Sequence, residues 1–125
     1  MNRPSVLIVD DHAGFRAMAR ELLSSHGFDV VGEAVDGRDA IRAAADLHPA
    51  VVILDVRLPD LDGFEVTRRL LSHPPGPGVI LVSTRDAADY GRRIATSGAL
   101  GFIPKSRLSG DTLSAILRRH LEEET

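Results

Sequence analysis

The chain has 125 residues, 43% of them apolar, which is the length of one ordinary domain and enough for a single core. It contains no Cys, which excludes a disulfide framework, a thiol nucleophile, a thiolate zinc site and an iron–sulfur cluster, and suits a reducing compartment. With 15 basic against 18 acidic residues, a net charge of −3 and aromatics at 4%, it offers neither a basic track for a phosphate backbone nor stacking platforms for bases.

The opening MNRPSVLIVDD places a short apolar run before two aspartates, far less than a signal h-region or the roughly 20 residues of a membrane span. Residues 1–125 are therefore expected to form one cytoplasmic domain without a membrane partner. Val6 to Val9 (VLIV) is continuously aliphatic, which reads as a strand buried on both faces. Phe15, Met18, Ala19 and Leu22 follow at helical spacing, and Gly27 stops that helix. Val30 to Ala34 is a weaker strand. Asp36 is placed to cap a second helix with Ile41, Ala44, Ala45 and His48 on its buried side, closed by Pro49. VVIL (Val51 to Leu54) is a further buried strand, followed by a helix carrying Val66, Leu70 and Leu71 that ends at the HPPGPG loop.

VILV (Val79 to Val82) is the next buried strand. The segment from Asp86 to Ser97 offers only Ala87, Tyr90, Ile94 and Ala95 as an apolar side and holds Gly91 within it, so it is expected to be the loosest helix. Ala99 to Ile103 (ALGFI) is a final, weaker strand. Leu113, Ile116, Leu117 and Leu121 form the stripe of a last helix after Ser109, and LEEET reads as a fraying tail. Five rounds of strand then helix with short connections specify an α/β fold, a doubly wound parallel sheet.

In such sheets the working groups gather at the carboxyl ends of the strands. VLIV runs into Asp10 and Asp11, VVIL into Asp55, VILV into Ser83 and Thr84, and ALGFI into Lys105 just past Pro104. All but one of the 15 cations are Arg, and the single Lys is Lys105. One Asp after one strand is most simply a helix cap; acid, acid, hydroxyl and ammonium at four ends of one edge need another account. Three carboxylates together repel and resist desolvation, and a hard divalent cation with one ammonium would neutralise them. Mg2+ suits an all-oxygen site that keeps several waters, and Lys supplies a compact point charge.

As a set these residues resemble the receiver domains of two-component response regulators, over essentially the whole chain. The carriers are VDDH (Asp10, Asp11), LDVRLPDLDG (Asp55), LVST (Ser83) and GFIPK (Phe102, Lys105), and their spacings agree with that family. The resemblance implies a flavodoxin-like (βα)5 domain of five parallel strands in the order 2-1-3-4-5. It also implies that Asp55 accepts a phosphoryl group from a sensor histidine kinase, with Lys105 and Ser83 assisting. Mg2+ would be held by Asp11, Asp55 and the backbone carbonyl of Arg57, with Asp10 acting through water. Ser83 would then bond the phosphoryl group and Phe102 would move, changing the face made by the fourth helix, fifth strand and fifth helix, with a homodimer on phosphorylation as a further expected partner.

Some positions depart from the commonest pattern. Ser106 follows Lys105 where many receivers carry a proline, so no cis peptide is expected there. GFIPKS then LS looks like receivers of the LuxR, NarL and FixJ type, which precede DNA-binding domains, so transcription control by an output domain outside this chain is the implied role. Thr84 is larger than the usual small residue, Phe102 lacks the hydroxyl of Tyr, and Arg57 and Arg85 stand where the family tunes phosphoryl lifetime. His12 is read as a surface helix cap, and His26, His73 and His120 as ordinary helix-end imidazoles.

Two other classes compete. A small haloacid-dehalogenase-like phosphatase would use an acid two residues after its aspartyl nucleophile, where this chain has Arg57. A phosphate-independent interaction domain would be expected to lose Asp55 or Lys105, and both are present.

Overall fold

The computed structural model describes the backbone of residues 3–124 and the side chains of residues 3–120. Five strands, β1 (Ser5–Val9), β2 (Asp29–Ala34), β3 (Val51–Asp55), β4 (Gly78–Ser83) and β5 (Gly101–Pro104), form one sheet in the order β2-β1-β3-β4-β5. Every pairing is parallel. The helices are α1 (Ala13–Ser25), α2 (Gly37–Leu47), α3 (Gly63–Leu70), α4 (Arg92–Thr96) and α5 (Gly110–Glu124). The expected doubly wound sheet and its strand order are both present.

The aliphatic runs are buried on both faces because alternate residues enter two different cores. Val6, Ile8, Ile53, Ile80 and Val82 point to the side where Ala19 and Leu23 of α1 and Leu113 of α5 pack. Leu7, Val9, Val52, Leu54 and Leu81 point the other way, against Ala40 of α2 and Val66 of α3. Full burial of each such side chain contributes about 1.5 to 3 kcal/mol, so the central strands are the least replaceable part of the chain.

Helix faces differ from expectation by a fraction of a turn. In α1 the inward residues are Phe15, Ala19, Leu22 and Leu23, whereas Met18 is 42% exposed. The spacing permits either stripe, and Leu23 rather than Met18 takes the core position. In α2 the packed residues are Ala40, Ile41, Ala43 and Ala44, while Ala45 and His48 face solvent. His48 instead terminates the helix in the left-handed conformation (φ 48°), a backbone turn that places its ring outside the core. Asp36 caps α2 as expected, accepting from the Asp39 N–H at 2.8 Å.

The weak segment from Asp86 to Ser97 is not one helix. A 3-10 turn at Ala87–Asp89 is followed by Gly91 at φ 57° and then by the five-residue α4, and no residue of either piece is buried. A glycine in the left-handed region breaks the helix where the sequence offered too few apolar anchors to hold it. Gly27, at φ 91°, ends α1 in the same way. Helix α5 continues through Glu124, past the expected start of fraying, while the Leu121 side chain and Thr125 lie outside the described residues. No cis peptide follows Lys105; the one cis bond among the described residues joins Pro74 and Pro75. Among the described residues no helix is long and apolar enough to cross a membrane.

Backbone contact at the edge of the sheet makes one glycine indispensable. A Cβ on Gly63, which opens α3, would lie 2.6 Å from the Asp55 carbonyl oxygen and 2.8 Å from Val56 Cα. Neither atom can yield without moving the end of β3. Gly63→Ala is expected to cost about 1 to 3 kcal/mol in urea unfolding, the usual range for overpacking. Gly14→Ala, on open α1 surface with nothing within 4 Å, should be neutral or raise stability by about 0.5 to 1 kcal/mol.

Candidate functional site

Because all strands run the same way, the ends of β1, β3 and β5 deliver Asp10, Asp55 and Lys105 to one edge. Asp10 is fully buried, and Asp55 and Ser83 are nearly so. The Lys105 ammonium lies 2.5 Å from Asp10 Oδ2 and 3.1 Å from Asp55 Oδ2. It also sits 4.5 Å from the centre of the Phe15 ring, whose π-face attracts a cation. A single ammonium thus joins two carboxylates.

Asp55 is held by its own turn as well, since its Oδ1 accepts the Arg57 N–H at 3.2 Å. Burial pushes the Asp55 carboxyl above the usual carboxylate range, and the neighbouring Asp10 adds to this; the Arg57 N–H and Lys105 act in the opposite sense. Burial also works against the Lys105 ammonium, yet its contacts with Asp10 and Asp55 outweigh that cost and raise its pKa.

The acidic edge has the composition of a cation site. Ligand atoms from Asp10, Asp11, His12 and Asp55 all lie within 4.8 Å of one another. Asp10 Oδ2 is buried and, apart from its ion pair with Lys105, accepts no hydrogen bond of regular geometry. A buried carboxylate oxygen with unused lone pairs beside further carboxylates fits a hydrated hard cation. Arg57 is bridged to Asp62, which fixes the loop that carries its carbonyl.

His12 does not behave as a helix cap. It occupies the position before α1, but its ring makes no capping bond, and Nδ1 lies 3.2 Å from Asp10 Oδ1 and 3.1 Å from Asp11 Oδ1. The DDH run places an imidazole next to two acids, and that adjacency was the signal for it. His26 ends α1 and reaches across to Asp111 at 3.1 Å, and His73 contacts Ser72 Oγ at 3.0 Å.

Ser83 lies at the end of β4, one residue past Val82, the register partner of Asp55. Its Oγ accepts the Arg85 N–H at 3.1 Å and lies 2.6 Å from the Tyr90 hydroxyl. Thr84 and Arg85 are exposed. Phe102, half-buried on β5, packs against Tyr90 with ring centres 5.8 Å apart, and Phe64 meets Tyr90 edge-on at 5.7 Å. In the sequence Tyr90 and Phe15 stand only as apolar residues of helix faces. The contact of each with a strand-end polar group depends on packing that periodicity does not report.

The raised pKa of Asp55 has a consequence for stability. The unfolded carboxyl loses its proton at lower pH than the folded one, so ionisation of Asp55 costs stability as pH rises through its folded-state pKa. Below the unfolded value that cost is absent. In metal-free buffer, Asp55→Asn is expected to stabilise the protein at neutral pH by about 0.5 to 3 kcal/mol, the ordinary size of point-substitution effects. The advantage over the parent chain should vanish at about pH 3 to 4 in parallel urea titrations.

Residues 6–118 match the family described as Response regulator receiver domain. The response regulator GacA of Pseudomonas aeruginosa is 36% identical over 112 residues, covering 89% of this chain and 52% of that protein. A protein-glutamate methylesterase/protein-glutamine glutaminase of Alkalilimnicola ehrlichii is 36% identical over 94% of this chain but only 30% of its own length. Among solved structures, the signal receiver domain of NarL from Mycobacterium tuberculosis has a TM-score of 0.82 and 31% identity, covering 98% of this chain and 96% of that one. The chain therefore spans about half the length of the curated regulators it matches, such as GacA at 52%. Neither the phosphatase nor the phosphate-independent alternative is favoured by these likenesses. With its sheet order, its acidic edge and this match along nearly its whole length, the chain belongs to the response regulator receiver domains, in the company of NarL-type receivers.

Proposed function

We propose that residues 1–125 act as one receiver module in which Asp55 takes a phosphoryl group from a phosphohistidine of a sensor histidine kinase. The observation that carries this reading is the Lys105 ammonium bridging Asp10 and Asp55 at the buried edge of the sheet. A carboxylate oxygen of Asp55 attacks phosphorus, and the phosphorus–nitrogen bond breaks with its electron pair returning to the imidazole. Such transfer needs alignment and neutralisation of charge more than covalent assistance. Lys105 supplies one positive charge within reach of the acceptor oxygen. The Arg57 N–H on the other Asp55 oxygen orients the carboxylate.

Mg2+ fits the remaining acidic edge, held by Asp11, Asp55 and the Arg57 carbonyl with Asp10 acting through water, and it would supply neutralising charge to the phosphoryl oxygens. Ser83 then donates to a phosphoryl oxygen, and Phe102 shifts with it, altering the face built by α4, β5 and α5. That face is where a second copy would pair on phosphorylation. The chain is a signalling switch and catalyses only its own phosphorylation and slow hydrolysis. The likeness to GacA and NarL supports control of transcription through an output domain outside this chain, in the cytoplasm, with no nucleic acid held by the acidic receiver itself.

Acetyl phosphate with Mg2+ should raise the intact mass of the chain by one phosphoryl group, and Asp55→Asn should abolish the gain. Labelling that persists in Asp55→Asn would place the acceptor elsewhere.

Mg2+ alone should raise the melting temperature, since a ligand at 100 times its dissociation constant stabilises the native state by about 2.7 kcal/mol. Asp11→Ala should lose most of that shift. An equal shift in Asp11→Ala would mean that the cation sits at another site.

A further inference from the structure

Ser83 Oγ is a contested atom. A serine hydroxyl has one proton to donate and two lone pairs. One lone pair is used by the Arg85 N–H at 3.1 Å, and the Tyr90 hydroxyl lies on the same oxygen at 2.6 Å. Ser83 is 1% exposed, so no solvent competes for it. The other claimant is any phosphoryl group on Asp55, whose register partner Val82 directly precedes Ser83.

We propose that Tyr90 is a positioning residue for the switch: its hydroxyl oxygen accepts the single Ser83 proton in the unphosphorylated chain, and loading of Asp55 draws that proton away to a phosphoryl oxygen. This rests on the assignment of Asp55 as acceptor. A hydrogen bond to an ionised phosphoryl oxygen is roughly twice as strong as a neutral one, so the exchange runs toward phosphate. Phe102 has no hydroxyl, and Tyr90 is the only tyrosine in the sequence, so no other phenol is available to Ser83.

The location of Tyr90 gives its release a structural effect. It ends the 3-10 turn after β4 and directly precedes Gly91, whose φ of 57° begins α4. Its ring contacts both Phe64 and Phe102. Arg93 of α4 in turn sits 4.3 Å over the Phe64 ring and 3.3 Å from Asp62, the cap of α3. A Tyr90 freed from Ser83 loses its polar anchor while keeping its contacts with the two rings, so the small, unburied α4 capped by the next residue is the element that follows it.

The composition supplies the readout. With one Tyr and no Trp, emission excited where phenylalanine does not absorb reports Tyr90 alone. Beryllofluoride with Mg2+ is titrated into the full chain, the Asp55 adduct is followed by fluorine NMR, and tyrosine emission is recorded in parallel. The emission should change in proportion to the adduct. An adduct without a change in emission overturns the proposal. Failure to form an adduct, or an equal adduct in Asp55→Asn, overturns instead the assignment of Asp55 on which it rests.

Two variants separate positioning from packing. Tyr90→Phe keeps the ring and removes the competing hydrogen bond, so half-saturation by beryllofluoride should fall about two- to tenfold, the range of one hydrogen bond. An unchanged or higher value overturns the proposal. Ser83→Ala should show the loaded emission before any beryllofluoride is added, and a wild-type change on titration would likewise overturn it.

Discussion

The contact of Lys105 with Asp10 and Asp55 is the interaction on which the rest of this molecule depends. Two buried carboxylates at the ends of β1 and β3 would repel each other and resist burial, and the ammonium from the end of β5 is what permits both to stay inside. The sheet order makes this possible. Strand β1 lies beside β3, and β4 separates β3 from β5, so the long Lys105 side chain reaches over β4 to Asp55 and past β3 to Asp10. The Phe15 ring beneath the ammonium ties α1 to the same point.

Around that contact the loops are held by backbone groups rather than by mass of core. Asp60 accepts the N–H groups of Gly37 and Arg38 at 2.7 and 3.0 Å, fastening the loop after β3 to the start of α2. Asp62 caps α3 through the Glu65 N–H at 2.8 Å, and Gly63 lets α3 approach the end of β3. Arg16 bonds the Asp10 carbonyl oxygen at 2.7 Å while pairing with Glu33, whose carboxyl is held below its ordinary range, chiefly by Arg20. A rigid acidic edge therefore adjoins the weakly anchored segment from Asp86 to Ser97. That contrast is what a switch requires, since small changes at the rigid site can bias only an element with little else holding it.

Most of the fold was legible because its signals are local. Continuous aliphatic runs, Asp36 as a cap and Gly27 as a stop all report the conformation of nearby residues, and the strand-end rule then put Asp10, Asp55, Ser83 and Lys105 on one edge. Helix rotation was less legible. Met18 and Leu23 both fit an amphipathic stripe in α1, and only the shape of the facing strands selects Leu23. Within the site, the partners of each polar group were the least legible part. Nothing in the spacing says that Lys105 serves Asp10 as well as Asp55, or that Tyr90 reaches Ser83.

The sequence by itself determined the class of fold, the edge at which the chemistry collects and the residue types present there. It could do so because periodicity and strand ends are properties of short segments. Only the tertiary structure decided which of those residues meet. The 2.6 Å contact of Ser83 with Tyr90 joins a strand end to a turn, and the Tyr90 ring that makes it packs against Phe64 and Phe102 from two other elements. Side-chain contacts of this kind are set by volume and direction in three dimensions, quantities that a linear pattern does not carry.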